Sequence, residues 1–300
     1  MKRVVSVSLG SSSRDKKVVL TLDGEEISLE RIGVDGDEEK ARRLFAELDG
    51  KVDALGVGGV ELNLRVAGRV YKLSSGHSLV RDVKTTPAID GAGLKHTLER
   101  RVFELAAAEL GGMPHYRSAF VTLGIDRFGM AQAIAEVSDR VVFGDLMFAL
   151  GIPIPVNSIG QLIFLGRLLL PILRHLPISM LYPTGESQEV IEPKYQKYWD
   201  QAELIGGDFL YIRKHMPDDL SGKTIVTNTT TERDVELLRE RNLRWLITTT
   251  PRYEGRSFGT NMMEAALTAY AGKGRALTDA ELNELIDRLN IRPSVQRLND

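Results

Sequence analysis

Residues Tyr116 to Asp145 read YRSAFVTLGIDRFGMAQAIAEVSDRVVFGD. Ser118 to Leu123 is an apolar run with the length of a buried strand. A loop bounded by Gly124 and Gly129 follows, then a short helical pattern from Met130 to Val137. A second apolar run, Arg140 to Phe143, ends at Asp145. This is a β-loop-α-β unit of the size that binds dinucleotides. Its acid lies roughly 20 residues past the loop, where such units place the carboxylate that accepts a ribose hydroxyl.

The pattern extends in both directions. Upstream, Arg3 to Leu9, Lys17 to Leu22 and Ile27 to Ile32 are short runs rich in Val, Leu and Ile, divided by turn signals such as Asp23-Gly24. Asp37 is placed to cap a helix running to about Leu48, Val52 to Val57 reads as a strand, and Val60 to Leu73 as an edge hairpin. A strong helical pattern, Leu94 to Leu110, ends at Gly111-Gly112. Downstream, Glu203 to Ile205, Thr224 to Thr227 and Leu243 to Thr249 read as strands around a helix over Glu232 to Asn242. Thr278 and Glu281 form a capping box for a last helix. Strands alternating with helices predict a parallel sheet, with ligands at its carboxyl edge.

Composition narrows the classes. The chain has 300 residues, 43% apolar and 27% charged, which is enough for two ordinary domains. A net charge of −2 gives no general pull toward nucleic acid or an anionic membrane. The absence of cysteine excludes disulfides, thiolate catalysis and Cys-ligated zinc, and five histidines without HxxxH or HExxH spacing predict no metal site. Met1-Lys2-Arg3 precedes only a short, serine-broken apolar stretch, so no signal peptide is expected and a cytoplasmic location is. Ile159 to Leu176 carries Gln161, Arg167, Pro171 and Arg174, which predicts a buried helix rather than a bilayer span.

Several groups suit chemistry at such a sheet edge. In the loop, Gly124 and Gly129 would let backbone approach a pyrophosphate. Arg127 would attract it, Asp126 would repel it, and Asp145 would take the ribose, favouring NAD over NADP. An ordinary strand-to-helix turn is the competing reading. Thr227, Asn228, Thr229 and Thr249 add hydroxyls and an amide at neighbouring strand ends, although threonine also simply favours strands. Asp90 and Lys95 set an acid and an amine around a helix start, where the carboxylate could orient the amine or merely cap the helix. Lys84 is the competing amine. Ser11, Ser13 and Arg14 suit a carboxylate, and Arg256 with Asn261 could close over a ligand. Arg213-Lys214-His215 forms a basic cluster expected just after a strand.

The stretches VSVSLGSSSRD, DGAGLKHTLERR, DRFGMAQA, VVFGD, IRKHMP, TNTTT and GRSFGTN resemble bacterial proteins catalogued as quinate 5-dehydrogenase, and more distantly the shikimate/quinate dehydrogenase family. That resemblance implies an N-terminal substrate domain, a Rossmann domain and a C-terminal helix, with Asp90 in the place of the family's substrate aspartate and Ser11 and Ser13 for its serines. The chain departs from the family in lacking the Asn-Val-Thr-x-Pro-x-Lys motif and the Gly-Ala-Gly-Gly loop. Ala266 stands where the family has glutamine.

The expected fold is therefore α/β: an N-terminal mixed α/β domain with its linking helix (1–112), a doubly wound Rossmann-like parallel-sheet domain (113–255) and C-terminal helices (256–300). The expected activity is hydride transfer between a quinate-like cyclic acid and NAD, with Lys95 or Lys84 taking the hydroxyl proton and Asp90 orienting the amine. The partner is a small molecule, with no nucleic acid and no membrane, and the size is compatible with a homodimer. The alternative is a non-catalytic or regulatory protein binding a nucleotide or phosphorylated metabolite. A third reading is a transferase using the same cleft for an activated nucleotide donor.

Overall fold

Apolar residues at every second position build the first sheet. β1 (Lys2–Ser8) sends Val5 and Val7 to one face and Val4, Ser6 and Ser8 to the other. It pairs in parallel with β3 (Glu25–Gly33) and β4 (Ala54–Gly58), and β4 pairs in parallel with β7 (Ala88–Ile89). β2 (Lys16–Leu22) closes one edge antiparallel to β3, giving the order β2-β3-β1-β4-β7. The computed structural model describes residues 1–177, 191–253 and 256–300, without the side chains of Tyr253 and Arg256. It divides into two compact units: Met1–Leu94, Leu169–Gln188 and Gly259–Asn290 in the first, and Lys95–Leu168, Glu189–Phe258 and Ile291–Asp300 in the second.

In the first unit, α1 (Glu38–Leu48) covers the Val5/Val7 face with Ala41 and Phe45. Asp37 caps it as expected, accepting from the Lys40 N–H at 2.8 Å. The opposite face is lined by Ser6, Ser8, Gly56 and Gly58, small enough for α11 (Thr260–Ala271) to lie close against β1, β3 and β4. Nine of the twelve residues of α11 are buried, which makes it a core helix. One of them is Glu264, which accepts from the Leu94 N–H at 2.9 Å, and burial, with Asp90 nearby, pushes its carboxyl up to about 8. α12 (Asp279–Arg288) starts at the capping box legible in the sequence: the Glu281 N–H reaches Thr278 Oγ1 at 3.3 Å and the Thr278 N–H reaches Glu281 Oε2 at 2.8 Å. The hairpin of β5 (Asn63–Val66) and β6 (Arg69–Lys72) forms its own two-stranded sheet rather than an edge of the larger one. α2 (Ser74–Leu79) follows it.

The second unit is doubly wound. Its strands are β8 (Ala119–Val121), β9 (Val141–Phe143), β10 (Leu204–Gly207), β11 (Thr224–Thr227), β12 (Trp245–Thr248) and β15 (Ser294–Arg297). They lie in the order β15-β12-β11-β10-β8-β9, all parallel except β15, which runs antiparallel to β12. β13 (Arg252–Tyr253) and β14 (Arg256–Ser257) form a short separate ribbon. Among the described residues the helices between strands are α5 (Phe128–Glu136), α6 (Asp145–Leu150), α7 (Ile159–Leu173), α8 (Gln196–Gln201), α9 (Phe209–His215) and α10 (Glu232–Glu240). Phe120, at the centre of β8, stacks on Tyr198 at 5.7 Å and meets Trp199 edge-on at 5.4 Å, contacts worth about 0.5–1.5 kcal/mol each beyond burial. The expected α/β class, a mixed domain plus a doubly wound parallel sheet, is what the chain forms.

Three further local expectations differ. The helix over Leu94 to Leu110 is split into α3 (Ala92–His96) and α4 (Val102–Leu110). The interruption lies beside α5, where a Cβ on Gly129 would stand 2.0 Å from the Lys95 carbonyl oxygen. Arg213-Lys214-His215 does not follow a strand. It forms the last turn of α9, where cations face the negative end of the helix dipole. The Ile159 helix is not buried all round, because α7 leaves Phe164, Leu168 and Ile172 exposed. Among the described residues no helix is long and apolar enough to cross a membrane.

Candidate functional site

In the second unit the parallel strands run β9-β8-β10-β11-β12, so the winding reverses between β8 and β10. At such a reversal the loops after the two strands diverge and leave a crevice at their carboxyl ends. The loop after β8 carries Asp126 and Arg127, and the residue after β10 is Asp208. Arg127 is almost wholly buried and pairs with three carboxylates, Glu99 through Nη1, Asp208 Oδ2 at 2.7 Å through Nη2 and Asp126 Oδ2 at 3.7 Å from Nε. Lys95, equally buried, bonds the Asp126 carbonyl at 3.1 Å and Asp126 Oδ1 at 3.2 Å. Asn228, just past β11, donates to Asp208 Oδ2 at 2.8 Å and accepts from the Phe209 N–H at 3.1 Å. Asp208 also caps α9 through the Leu210 N–H at 2.9 Å.

The electrostatics follow from burial and proximity. Burial works against the charge on Arg127, but Glu99, Asp208 and Asp126 together hold its pKa above the ordinary value. Burial likewise opposes ionisation of Asp208, and Arg127 outweighs it, so that pKa is lowered. Glu99 is raised, because burial there prevails over Arg127 and Lys95, and its second oxygen has no hydrogen-bond partner. Tyr211 on α9 is raised by burial and by Asp126 and Asp208, which keeps its phenol protonated. The groups that reach solvent are carboxylates, with side-chain exposures of 17% for Asp126 and 19% for Asp208, and the cations lie beneath them.

The expected cofactor residues are present at this edge, but most are engaged by the protein itself. Gly124 and Gly129 are glycine for packing. A Cβ at Gly124 would stand 2.8 Å from both Leu162 and Phe143, and one at Gly129 would stand 2.0 Å from the Lys95 carbonyl oxygen, so neither position admits a side chain. Asp145 is buried at the start of α6 and accepts from the Gly124 N–H at 2.9 Å and the Ile125 N–H at 2.8 Å. Burial raises it to about 6. Both its oxygens thus fasten the loop. Thr227 Oγ1 donates to the Gly207 carbonyl at 2.8 Å, and Thr229 Oγ1 to the Ser257 carbonyl at 2.7 Å. Thr249 is fully buried, its N–H on the Thr227 carbonyl at 2.9 Å. Sequence reasoning missed Glu99, Asp208 and Tyr211. Asp208 had a signal, since it directly follows Gly206-Gly207 at a strand end. Glu99 had none, because it sits inside an apparently ordinary helical pattern.

The remaining expected site residues lie in the first unit, except Arg256, which belongs to the second. Asp90 accepts from the backbone N–H groups of Leu62 at 2.8 Å, Asn63 at 2.9 Å and Ala92 at 3.0 Å, which ties the loop after β7 to the turn before β5. Lys84 is exposed and donates to the Arg81 carbonyl at 2.8 Å. Ser11 and Ser13 bond each other at 2.8 Å in a capped turn that ends at Arg14. Asn261, at the start of α11, donates to Ser6 Oγ at 2.8 Å. The side chain of Arg256 lies outside the described residues.

Residues 93–298 match the family model described as Domain of unknown function (DUF8754), and residues 3–90 match Domain of unknown function (DUF8753). No curated protein matches the chain significantly. Among solved structures the chain is similar to GanP, a glucose-galactose binding protein from Geobacillus stearothermophilus, with 10% identity and a TM-score of 0.38 over 99% of this chain and 97% of that one. It is also similar to a galactofuranose binding protein, with 13% identity and a TM-score of 0.34 over 99% and 95%. A third is a putative LacI transcriptional regulator from Bacteroides fragilis, with 9% identity and a TM-score of 0.29 over 99% and 98%. Likenesses this remote carry none of those proteins' ligands over to this chain. What matches is thus a family of unknown function, and the similar structures are sugar-binding proteins and a regulator. The resemblance to quinate and shikimate dehydrogenases does not hold. The oxidoreductase reading, with its hydride transfer from quinate and its lysine–aspartate catalytic pair, falls with it.

Proposed function

The chain belongs to the DUF8754 family, and we propose that it is a non-catalytic protein that binds a small, neutral, hydroxyl-rich molecule at the β8/β10 crevice of its second unit. The observation that carries this reading is the charge-compensated cluster of Lys95, Glu99, Asp126, Arg127 and Asp208, open to solvent only through carboxylates. A phosphate or nucleotide entering there would meet like charge first. A ligand with several hydroxyls would donate to Asp126 and Asp208 and exchange hydrogen bonds with the neutral Tyr211 phenol. Asn228 and Arg127 already fix Asp208, so little ordering is left for the ligand to impose.

The test is a thermal-shift screen followed by calorimetry, with neutral sugars and polyols on one side and sugar phosphates, NAD and NADP on the other. A neutral polyhydroxyl ligand is expected to raise the melting temperature. Its affinity should fall about tenfold or more in Asp208→Asn, the scale of one hydrogen bond to a charged group. Binding of NAD or a sugar phosphate with no response to any neutral compound would overturn the reading.

A further inference from the structure

Five of the large apolar side chains exposed in this chain fall in one short stretch of the second unit: Leu150 (41%), Ile152 (41%), Ile154 (55%), Phe164 (70%) and Leu168 (58%). Phe164 and Leu168 are one turn apart on α7, so they share a helix face. Leu150, Ile152 and Ile154 precede α7, and the turn between is fixed by the Asn157 N–H on Gln161 Oε1 at 2.9 Å and the Gln161 N–H on Ser158 Oγ at 3.2 Å. The segment before it is held as well, the Ile152 N–H on the Leu146 carbonyl at 2.9 Å and the Ile154 N–H on the Ile152 carbonyl at 2.7 Å. From Leu146 to Leu168 the only charged residue is Arg167.

We propose that this face is where two copies of the chain meet. The exposed apolar surface of the five side chains amounts to roughly 500 Å², at the upper end of what a monomer leaves uncovered. It is also close to the apolar share of half a standard interface, where about 800 Å² is buried per partner and homodimer interfaces are about 65% apolar. An acidic protein or an anionic membrane would find a single guanidinium to engage, whereas membrane-docking segments usually gather several basic residues. A second copy offers the same apolar face, and a two-fold axis sets each face against its own kind.

Light scattering on a sizing column, with the full chain at micromolar concentration, tests this. The unaltered chain should run as a dimer, and Phe164→Glu and Leu168→Glu should each run as monomers. Phe164→Ser, with a gentler change, should weaken the dimer at least tenfold in a dilution series. Circular dichroism spectra identical to the parent's would show that the variants are folded. A monomeric parent, or a dimer that all three substitutions leave intact, would overturn the proposal. So would a monomeric parent that sediments with anionic vesicles, and in that case lipid would be the occupant.

Discussion

Glu264 makes the first unit's stability fall as pH rises. Its carboxyl is raised from the ordinary 4.5 to about 8 by burial in α11, with Asp90 and Asp279 adding to the effect. Below pH 4.5 it is protonated in both the folded and the unfolded chain, and its burial imposes no electrostatic penalty. Between 4.5 and 8 the unfolded chain releases the proton while the folded one keeps it, and each unit of pH then lowers stability by about 1.4 kcal/mol. Over the 3.5 units between the two values the loss reaches about 5 kcal/mol, and it levels off above pH 8. Urea denaturation of the parent and Glu264→Gln at pH 5, 6.5, 8 and 9 isolates this group, since the amide does not titrate. The stability difference between the two proteins should swing toward the variant by several kcal/mol across the series. Parallel curves, with a difference that does not move with pH, would refute the reasoning.

Other outcomes follow from the cluster and the packing. Arg127→Met removes the cation between Glu99 and Asp208 and should cost about 3–5 kcal/mol in urea denaturation, because it leaves buried carboxylates uncompensated. A loss below about 1 kcal/mol would mean the cluster is not held as an ion network. Gly129→Ala places a methyl 2.0 Å from the Lys95 carbonyl and should cost about 1–3 kcal/mol, measured as a lower melting temperature. Thr278→Ala breaks the capping box of α12 and should cost about 1 kcal/mol, visible as a shifted denaturation midpoint with an unchanged slope.

Where the information was local, the sequence was readable. The Val-rich runs of β1 to β4, the Asp37 cap and the Thr278–Glu281 box each depend on residues within a few positions of one another, and each formed. The strand–loop–helix of Tyr116 to Asp145 formed for the same reason. Its chemistry was not readable, because glycines and a buried acid serve packing as readily as they serve a pyrophosphate. That Leu162, Phe143 and Lys95 crowd these glycines is set by residues far away in the sequence. The candidate cluster depends on still longer reach: Arg127 meets Glu99 across 28 residues and Asp208 across 81. No periodicity records such a pairing. The dehydrogenase expectation failed for a related reason, since it rested on the β-loop-α-β unit, the Asp90–Lys95 spacing and short stretches of likeness, none of which records what meets what in the fold.

Residues 259–300 are threaded into both units. Gly259–Asn290 supplies the helix that seals one face of the first sheet, and Ile291–Asp300 supplies the strand that closes an edge of the second. On the ribosome, therefore, neither core can be completed until this segment has emerged. Residues 1–90 must wait, with one sheet face uncovered, until residues 259–290 have been made. For the same reason, cutting the gene between residues 90 and 93, where the two family models meet, would divide the sequence neatly and leave the first fragment without its α11 and α12. Supplied in trans, residues 259–290 should restore that fragment's solubility.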